Sequence, residues 1–435
     1  MMLRKFLSMS ALLLGVGGAT ADDWPQWMGP KRDNTYRETG LVESFPKDGL
    51  KVLWRVPVGG GYAGPAVSGG KVFCSEYKSE KDLGEGNFER KEADGAETIF
   101  ALDQKSGKRV WEHSYPVRYT ISYPTGPRCT PTVNGAMVYF LGAEGHLLAC
   151  DTESGKIVWQ KDLRKEYGTK AALWGYAGHP LIDGDKLITL AGGEGSHVVA
   201  LDKADGKELW KSQSSEEQGY CPPTIITAAG VRQLIVPGPR NVKALNPDTG
   251  ERLWSTPYDA TSGSIIMTPI VVGEYLFIAG YSNKNLLLKL TKDKPGVEVV
   301  AKDKPKAFLS PVNVQPLEID GIIYGFDQDG KLYAVELPSG KRLWETSEPI
   351  SEKALGSGTA FLVKVGGKIW FFNEAGELVI GEVSKEGYKQ IDRTKLIEPT
   401  ARAFGRKVVW CMPAFADKTL FVRNDKELIA VSVAK

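Results

Sequence analysis

The stretch from Ala244 to Trp254 reads ALNPDTGERLW, and its reading decides the fold. Ala244 and Leu245 close an apolar run. Asn246-Pro247-Asp248-Thr249-Gly250 then has turn chemistry: Pro presets φ, Asn and Asp bond back to their own backbone, and Gly accepts positive φ. Arg252-Leu253-Trp254 resumes a polar–apolar alternation, so the segment is strand, tight turn, strand. The chain says this repeatedly. ALDQKSGKRVW ends at Trp111, ACDTESGKIVW at Trp159, ALDKADGKELW at Trp210 and AVELPSGKRLW at Trp344. In all five copies an Ala stands ten residues before the Trp and a Gly four before it. Two worn copies keep the Gly and lose the Trp: Gly296 with Val300, and Gly387 with Ile391.

These markers, at 111, 159, 210, 254, 300, 344 and 391, recur every 44 to 51 residues, and a fixed period of this size signals a repeat architecture. An eighth marker, Trp54 in LKVLWRV, stands apart near the N-terminus. Each repeat has a second landmark upstream, as in TPTVNGAMVYFLG from Thr130, HPLIDGDKLITLAG from His179 and TPIVVGEYLFIAG from Thr268: a Pro, an apolar strand, a turn and another apolar strand. Each unit therefore reads as about four short strands with no helical period. Four strands per unit of this length make a propeller blade. The sequence predicts an all-β, eight-bladed β-propeller of four-stranded blades.

The two chain ends complete one blade. Met412–Lys435 supplies three strands and stops before a Trp-bearing fourth, while Lys51–Pro57 has that fourth strand's pattern around Trp54. Pairing them closes the ring and removes two free strand edges.

Met1–Ala21 places Arg4 and Lys5 before the apolar run Phe6–Val16 and ends on Ala19-Thr20-Ala21, the layout of a secretory signal. The expectation is an exported chain, periplasmic or extracellular, cleaved after Ala21 and lacking a transmembrane segment, since the apolar run is too short to span a bilayer. Residues 22–50 read as a leader laid across one face or rim of the ring, and 51–435 as the propeller. Trp24, in this polar leader, is expected to matter less to stability than Trp254. The whole chain carries a net charge of +2; removing Arg4 and Lys5 leaves it neutral, which argues against nucleic acid as a partner. No composition break divides the propeller, and a monomer is expected. Cys74, Cys129, Cys150, Cys221 and Cys411 show no CxxC spacing and read as buried small hydrophobes. With His scattered and no HExxH, no metal cluster is expected. Ser79–Glu97, rich in both charges, reads as an inserted solvated hairpin loop. Tyr115–Arg128 and Arg164–Gly178 read as long connections between blades.

The units written A-[LC]-D-x-x-[ST]-G-x-x-[LV]-W resemble the repeats of the pyrroloquinoline-quinone (PQQ) propeller superfamily, which includes the quinoprotein alcohol dehydrogenases and the propeller lipoprotein of the outer-membrane β-barrel assembly machinery. The resemblance covers nearly all of 51–435. It implies that Trp54, Trp111, Trp159, Trp210, Trp254 and Trp344 dock against neighbouring blades. The leader WPQWMGP with GPRCTPTV and LWGYAGHPLIDGDK looks like a subgroup of secreted PQQ-repeat propellers. The quinoprotein dehydrogenases add a catalytic Asp, a Ca²⁺ site and a vicinal Cys-Cys disulfide. This sequence has no Cys-Cys pair, and its repeated Asp103, Asp151 and Asp202 read as turn residues. No catalytic residue is assigned and no cofactor, PQQ included, is expected.

Other catalytic motifs are lacking: there is no GxSxG, no P-loop and no GxGxxG before a helix. What remains is a loop face near the ring axis, carrying Tyr62, Arg128, Trp174, Tyr176, His179, Tyr220, Arg402, Arg406 and Trp410, residue types enriched in recognition surfaces. The expected ligand-binding set is Arg128, Trp174, Tyr176, His179 and Tyr220. Arg128 offers a planar donor fork for an anion and the aromatic residues a flat face for a sugar. On this reading Arg128→Ala weakens binding and spares the fold. Two functions stay in play: a non-catalytic scaffold binding a protein partner, a glycan or an anionic group, and a PQQ- and Ca²⁺-dependent dehydrogenase.

Overall fold

The computed structural model describes residues 23–81, 86–260 and 264–435; the expected signal, Met1–Ala21, lies outside them. Eight sheets carry the β-propeller, each built on four antiparallel strands. Blade 1 runs Ala66–Ser68, Lys71–Lys78, Lys91–Asp103 and Arg109–Ile121, and later blades repeat the order, as in Thr224–Ala228, Val231–Pro237, Asn241–Leu245 and Arg252–Pro257 of blade 4. The first strand of blade 1 packs against the first strands of blades 2 and 8, Thr132–Asn134 and Ala414–Ala416, so the first strands line the axis. Blade 8 is closed as the sequence predicts: Val52–Pro57 pairs antiparallel with Glu427–Ser432.

The repeat's spacing has a direct structural meaning. The Ala ten residues before each Trp is its cross-strand neighbour: Ala101 faces Trp111, Ala149 faces Trp159 and Ala244 faces Trp254. A bulge follows the pair in each ladder, adding twist there. The small Ala leaves room for the indole. Blade 8 reproduces the pair from opposite chain ends, with Ala430 facing Trp54. The turn Asp is structural, as Asp103 accepts from Ser106 N at 2.8 Å and Asp151 from Ser154 N at 2.8 Å.

Docking onto the next blade divides the six tryptophans. Trp54, Trp111, Trp159 and Trp210 lie against Gly107, Gly155, Gly206 and Gly250 of the following turn. The first three also donate Nε1–H to a backbone carbonyl there, Gln104, Thr152 and Lys203, at 2.9 to 3.0 Å. Trp210 meets Pro247's turn and finds no protein acceptor. Trp254 packs between blades 4 and 5 without a glycine, donating instead to Gln233 Oε1 of its own blade at 2.7 Å. Trp344 is half-buried and reaches Ser384 O at 2.8 Å. The worn turns of blades 5 and 7 explain this, because Gly296 and Gly387 no longer lie under an indole.

The leader takes the first of its two expected positions, across the ring and not along its rim. It crosses the axis, bonding Val67, Val133, Pro180 and Lys364 from the inner ends of four blades. Thr35–Tyr36 adds a parallel strand to blade 7. Trp24 is 1 % exposed and packs 5.4 Å from Phe415, so it belongs to the core, contrary to its polar surroundings in sequence. The insertion is also corrected: part of Ser79–Glu97 forms the 13-residue strand Lys91–Asp103, paired along its length with Arg109–Ile121. Tyr115 lies in that second strand, and Arg164–Gly178 begins inside one short helix, Leu163–Tyr167, capped by Asp162. All five cysteines are buried and free. Among the described residues no helix is long and apolar enough to cross a membrane.

Candidate functional site

On one face the loops entering the inner strands leave a cavity of about 180 Å³. Position relative to the inner strand places part of the lining. Gly64, Thr130, His179 and Met412 each lie two residues before an inner strand, and all four line it. Trp27, carried across the axis by the leader, stacks on His179 with ring centroids 4.3 Å apart and gives the cavity an aromatic floor. One wall is Trp174 between Phe88 and Tyr220, each 5.4 Å away. The other is Trp410 among Tyr62, Tyr123 and Phe404, at 5.6 to 6.2 Å.

Of the five expected site residues, Arg128, Trp174, His179 and Tyr220 line this one cavity. Tyr176 does not. It is fully buried beside Gly145, its hydroxyl donating to Ala191 O at 3.1 Å, so it holds loops together between blades. Of the wider loop-face set, Tyr62 and Trp410 also line it; Arg402 is exposed elsewhere and Arg406 pairs with Glu374. Sequence reading misses Trp27, Asn87, Phe88, Tyr123, Tyr281 and Asn313. The place two residues before the inner strand, which lines the cavity in blades 1, 2, 3 and 8, is a signal that could have ordered part of the search; Trp27 and Phe88 reach the site only through long-range packing.

Arg128 departs furthest from its expected role. Its Nε donates to Trp174 O at 2.9 Å, its Nη2 to Ser122 O at 2.8 Å and Tyr123 O at 2.6 Å, and its Nη1 to Gly126 O. The guanidinium also sits 5.2 Å from the Tyr62 ring centre. Its fork is filled by backbone carbonyls, which removes the basis for an anion clamp.

The cavity is otherwise uncharged. Among the described lining residues Arg128 is the one ionised side chain, and there is no Asp or Glu. Burial, aided by the nearby Arg32 charge, holds His179 well below the ordinary imidazole range, so the ring is neutral. Burial likewise pushes the Tyr62 and Tyr220 hydroxyls above their usual range. Buried carboxylates elsewhere have structural partners: Glu97 accepts from Tyr115, Tyr119 and Ala143 N, and Asp327 pairs with Arg342. No group of three or more His, Cys, Asp or Glu able to hold a metal occurs among the described residues. Such a lining can stack a ring and exchange a few hydrogen bonds; it presents no carboxylate base and no activated nucleophile.

Comparison with known proteins gives a consistent family. Residues 95–346, more than half of the chain, match the family described as outer membrane protein assembly factor BamB. BamB of Yersinia pestis is 23 % identical over 54 % of this chain and 59 % of its own length. Quinoprotein alcohol dehydrogenase PedH of Pseudomonas putida is 31 % identical over 28 % of this chain and 21 % of that protein. This chain thus spans less than two thirds of the length of the curated relatives it matches. The crystal structure of BamB from Moraxella catarrhalis superposes with a TM-score of 0.55 at 16 % identity, covering 88 % of this chain and 99 % of that one.

Proposed function

The chain belongs to the PQQ-repeat propeller family described as outer membrane protein assembly factor BamB, and from that premise we propose that it is an exported, non-catalytic binding propeller whose ligand enters the loop-face cavity. One observation carries the reading: a cavity walled by aromatic rings, with no carboxylate among its described residues and its single Arg committed to backbone carbonyls. PQQ is an anionic quinone held with a divalent cation, and this donor set supplies neither metal-ligating carboxylates nor a free cation for its carboxylates. The dehydrogenase alternative therefore fits the site poorly, although quinoprotein relatives match part of the chain. An anionic ligand loses its support with Arg128. A protein partner or a glycan meeting the cavity through a neutral group remains, in a periplasmic or extracellular setting after cleavage at Ala21.

The test uses the mature chain. Incubation with PQQ and Ca²⁺ should give no dye-linked alcohol oxidation, and PQQ-dependent oxidation would reinstate the enzyme. A neutral ring probe, 2-naphthol, should quench tryptophan fluorescence in the wild type and fail to do so in Trp174→Ala. Quenching that survives this substitution would move the binding site elsewhere.

A further inference from the structure

Between blades 3 and 4 the loop face opens into a second hollow, a groove of about 960 Å³ that shares no lining residue with the aromatic cavity. Lys243, 4 % exposed, lines it from the third strand of blade 4, Asn241–Leu245. Strand alternation puts Lys243 on the same side as Asn241, which also lines the groove, and opposite Val242 and Ala244, which pack toward blade 5.

The ammonium is held without a counter-charge. Its Nζ donates to Ser214 O at 3.2 Å and faces His197 Nδ1 at 3.4 Å. His197 Nε2 lies 3.1 Å from the carbonyl oxygen of Gln218, so the neutral ring carries its proton on Nε2 and offers the Nδ1 lone pair to Lys243. Burial first, and then the charge of Arg252, lower the Lys243 pKa from 10.5 to about 8, with no carboxylate acting to raise it. Buried charges are ordinarily paired. An ammonium has three donors, and these two partners leave one over on a residue that lines the groove.

The rim has the opposite sign. Arg240 is taken up by Asp259 at 3.2 Å, whereas Glu194, Glu216 and Glu217 have no ion-pair partner among the described residues. Burial raises the Glu217 carboxyl above its usual range; Arg90 opposes this and the like charge of Glu216 adds to it. An inorganic phosphate would gain one donor from Lys243 and face three rim carboxylates. A diamine would suit the rim and leave Lys243 unpaired. A molecule with one carboxylate and one ammonium meets both needs, and the groove's size falls within the ~300–1,000 Å³ of small-molecule sites.

We propose that the groove between blades 3 and 4 binds a small zwitterion, its carboxylate on Lys243 Nζ and its ammonium among Glu194, Glu216 and Glu217. A free amino acid and a short peptide share this chemistry. The site is additional to the aromatic cavity and stands whether or not that cavity binds a ligand.

The experiment titrates the mature chain, isotope-labelled at the lysine ε-carbons, with alanine, γ-aminobutyrate and trialanine, beside acetate, inorganic phosphate and putrescine. The Lys243 resonance is identified by its absence from Lys243→Met. At least one zwitterion should shift it saturably. Lys243→Met keeps the length of the side chain and removes a buried charge, so it should melt no lower than the wild type and bind that zwitterion about ten- to a hundredfold more weakly. Glu216→Gln with Glu217→Gln should weaken it about two- to fivefold. Trialanine binding more tightly than alanine assigns a peptide, and the reverse a free amino acid; either supports the site. Acetate or phosphate shifting Lys243 as strongly as every zwitterion overturns the proposal in favour of a plain anion site. Putrescine binding alone, or no response to any probe, overturns it outright. So does a Lys243→Met protein that melts well below the wild type and still binds the zwitterion, since Lys243 is then a packing strut. Trp174→Ala should leave the Lys243 response unchanged, so this site and the aromatic cavity stand or fall separately.

Discussion

The indole of Trp111 lies on Gly155 of the next blade: a Cβ at that glycine would come within 2.4 Å of ring carbon Cδ2, while Nε1–H donates to Thr152 O at 3.0 Å. The two best-kept letters of the repeat are thus each other's partners across a blade boundary. Gly155 is required twice, by this close approach and by a φ of +70°. Gly155→Ala should cost about 2–4 kcal/mol, combining overpacking with left-handed strain. Gly135 has a similar φ of +61° and open space where its Cβ would go, so Gly135→Ala should cost only about 1–2 kcal/mol. Denaturant titration of both variants checks this; equal losses would remove the docking contribution.

Trp24 is as deeply buried as the docking tryptophans, against its lower sequence ranking. At 1 % exposure, against 8 % for Trp254, it sits among Phe415 and the inner strands near the axis. Trp24→Ala and Trp254→Ala should each lose about 3–5 kcal/mol. A melting temperature for Trp24→Ala close to that of the wild type would show the leader to be loosely attached.

Ring closure gives a deletion test. Without residues 1–58 the last blade loses the strand Val52–Pro57 and the Trp54 contact to Gly107, leaving the Glu427–Ser432 edge open for pairing between chains. Size-exclusion chromatography should show aggregates. A soluble monomer of normal stability would mean that the ring closes without this strand.

Arg128→Ala should lower the melting temperature, because the carbonyls of Ser122, Tyr123 and Trp174 lose their donor. A buried acceptor left unmet costs about 1–3 kcal/mol. An unchanged melting temperature with weakened anion binding would restore the sequence-based role for Arg128.

A pH dependence follows from His197, fully buried with Nε2 on Gln218 O at 3.1 Å and Nδ1 facing Lys243 Nζ at 3.4 Å. Burial first, and the Lys243 charge second, lower its pKa from 6.5 to about 3. The unfolded chain therefore binds the proton more readily. Stability is full above about pH 6.5 and falls as pH drops toward about 3, reaching a loss of about 2–3 kcal/mol near pH ~4.5 from this group. His197→Gln keeps a donor for Gln218 O and lacks the titration, so its melting temperature should fall less between pH ~7.5 and ~4.5. Identical falls in both proteins would place the acid sensitivity elsewhere.

The sequence by itself determined the blade, its count and its closure, because these rest on local facts repeated along the chain. The Ala-to-Trp spacing is a cross-strand pair, the Asp and Gly are turn chemistry, and Trp54 has the pattern the C-terminal segment lacks. His179 was legible for a related reason, since it lies just ahead of an inner strand, and Trp174 because it stands in a connection longer than a ring needs. Side-chain partners were not legible. Arg128 and Tyr176 look like ligand groups in sequence, yet their polar atoms are met by backbone carbonyls brought near only by folding. The burial of the leader's tryptophans was hidden as well. Trp24 and Trp27 stand in a polar, turn-rich segment with no periodicity, and they become core and cavity floor because an eight-bladed ring has an axis to fill, a space that exists only once all the blades are in place.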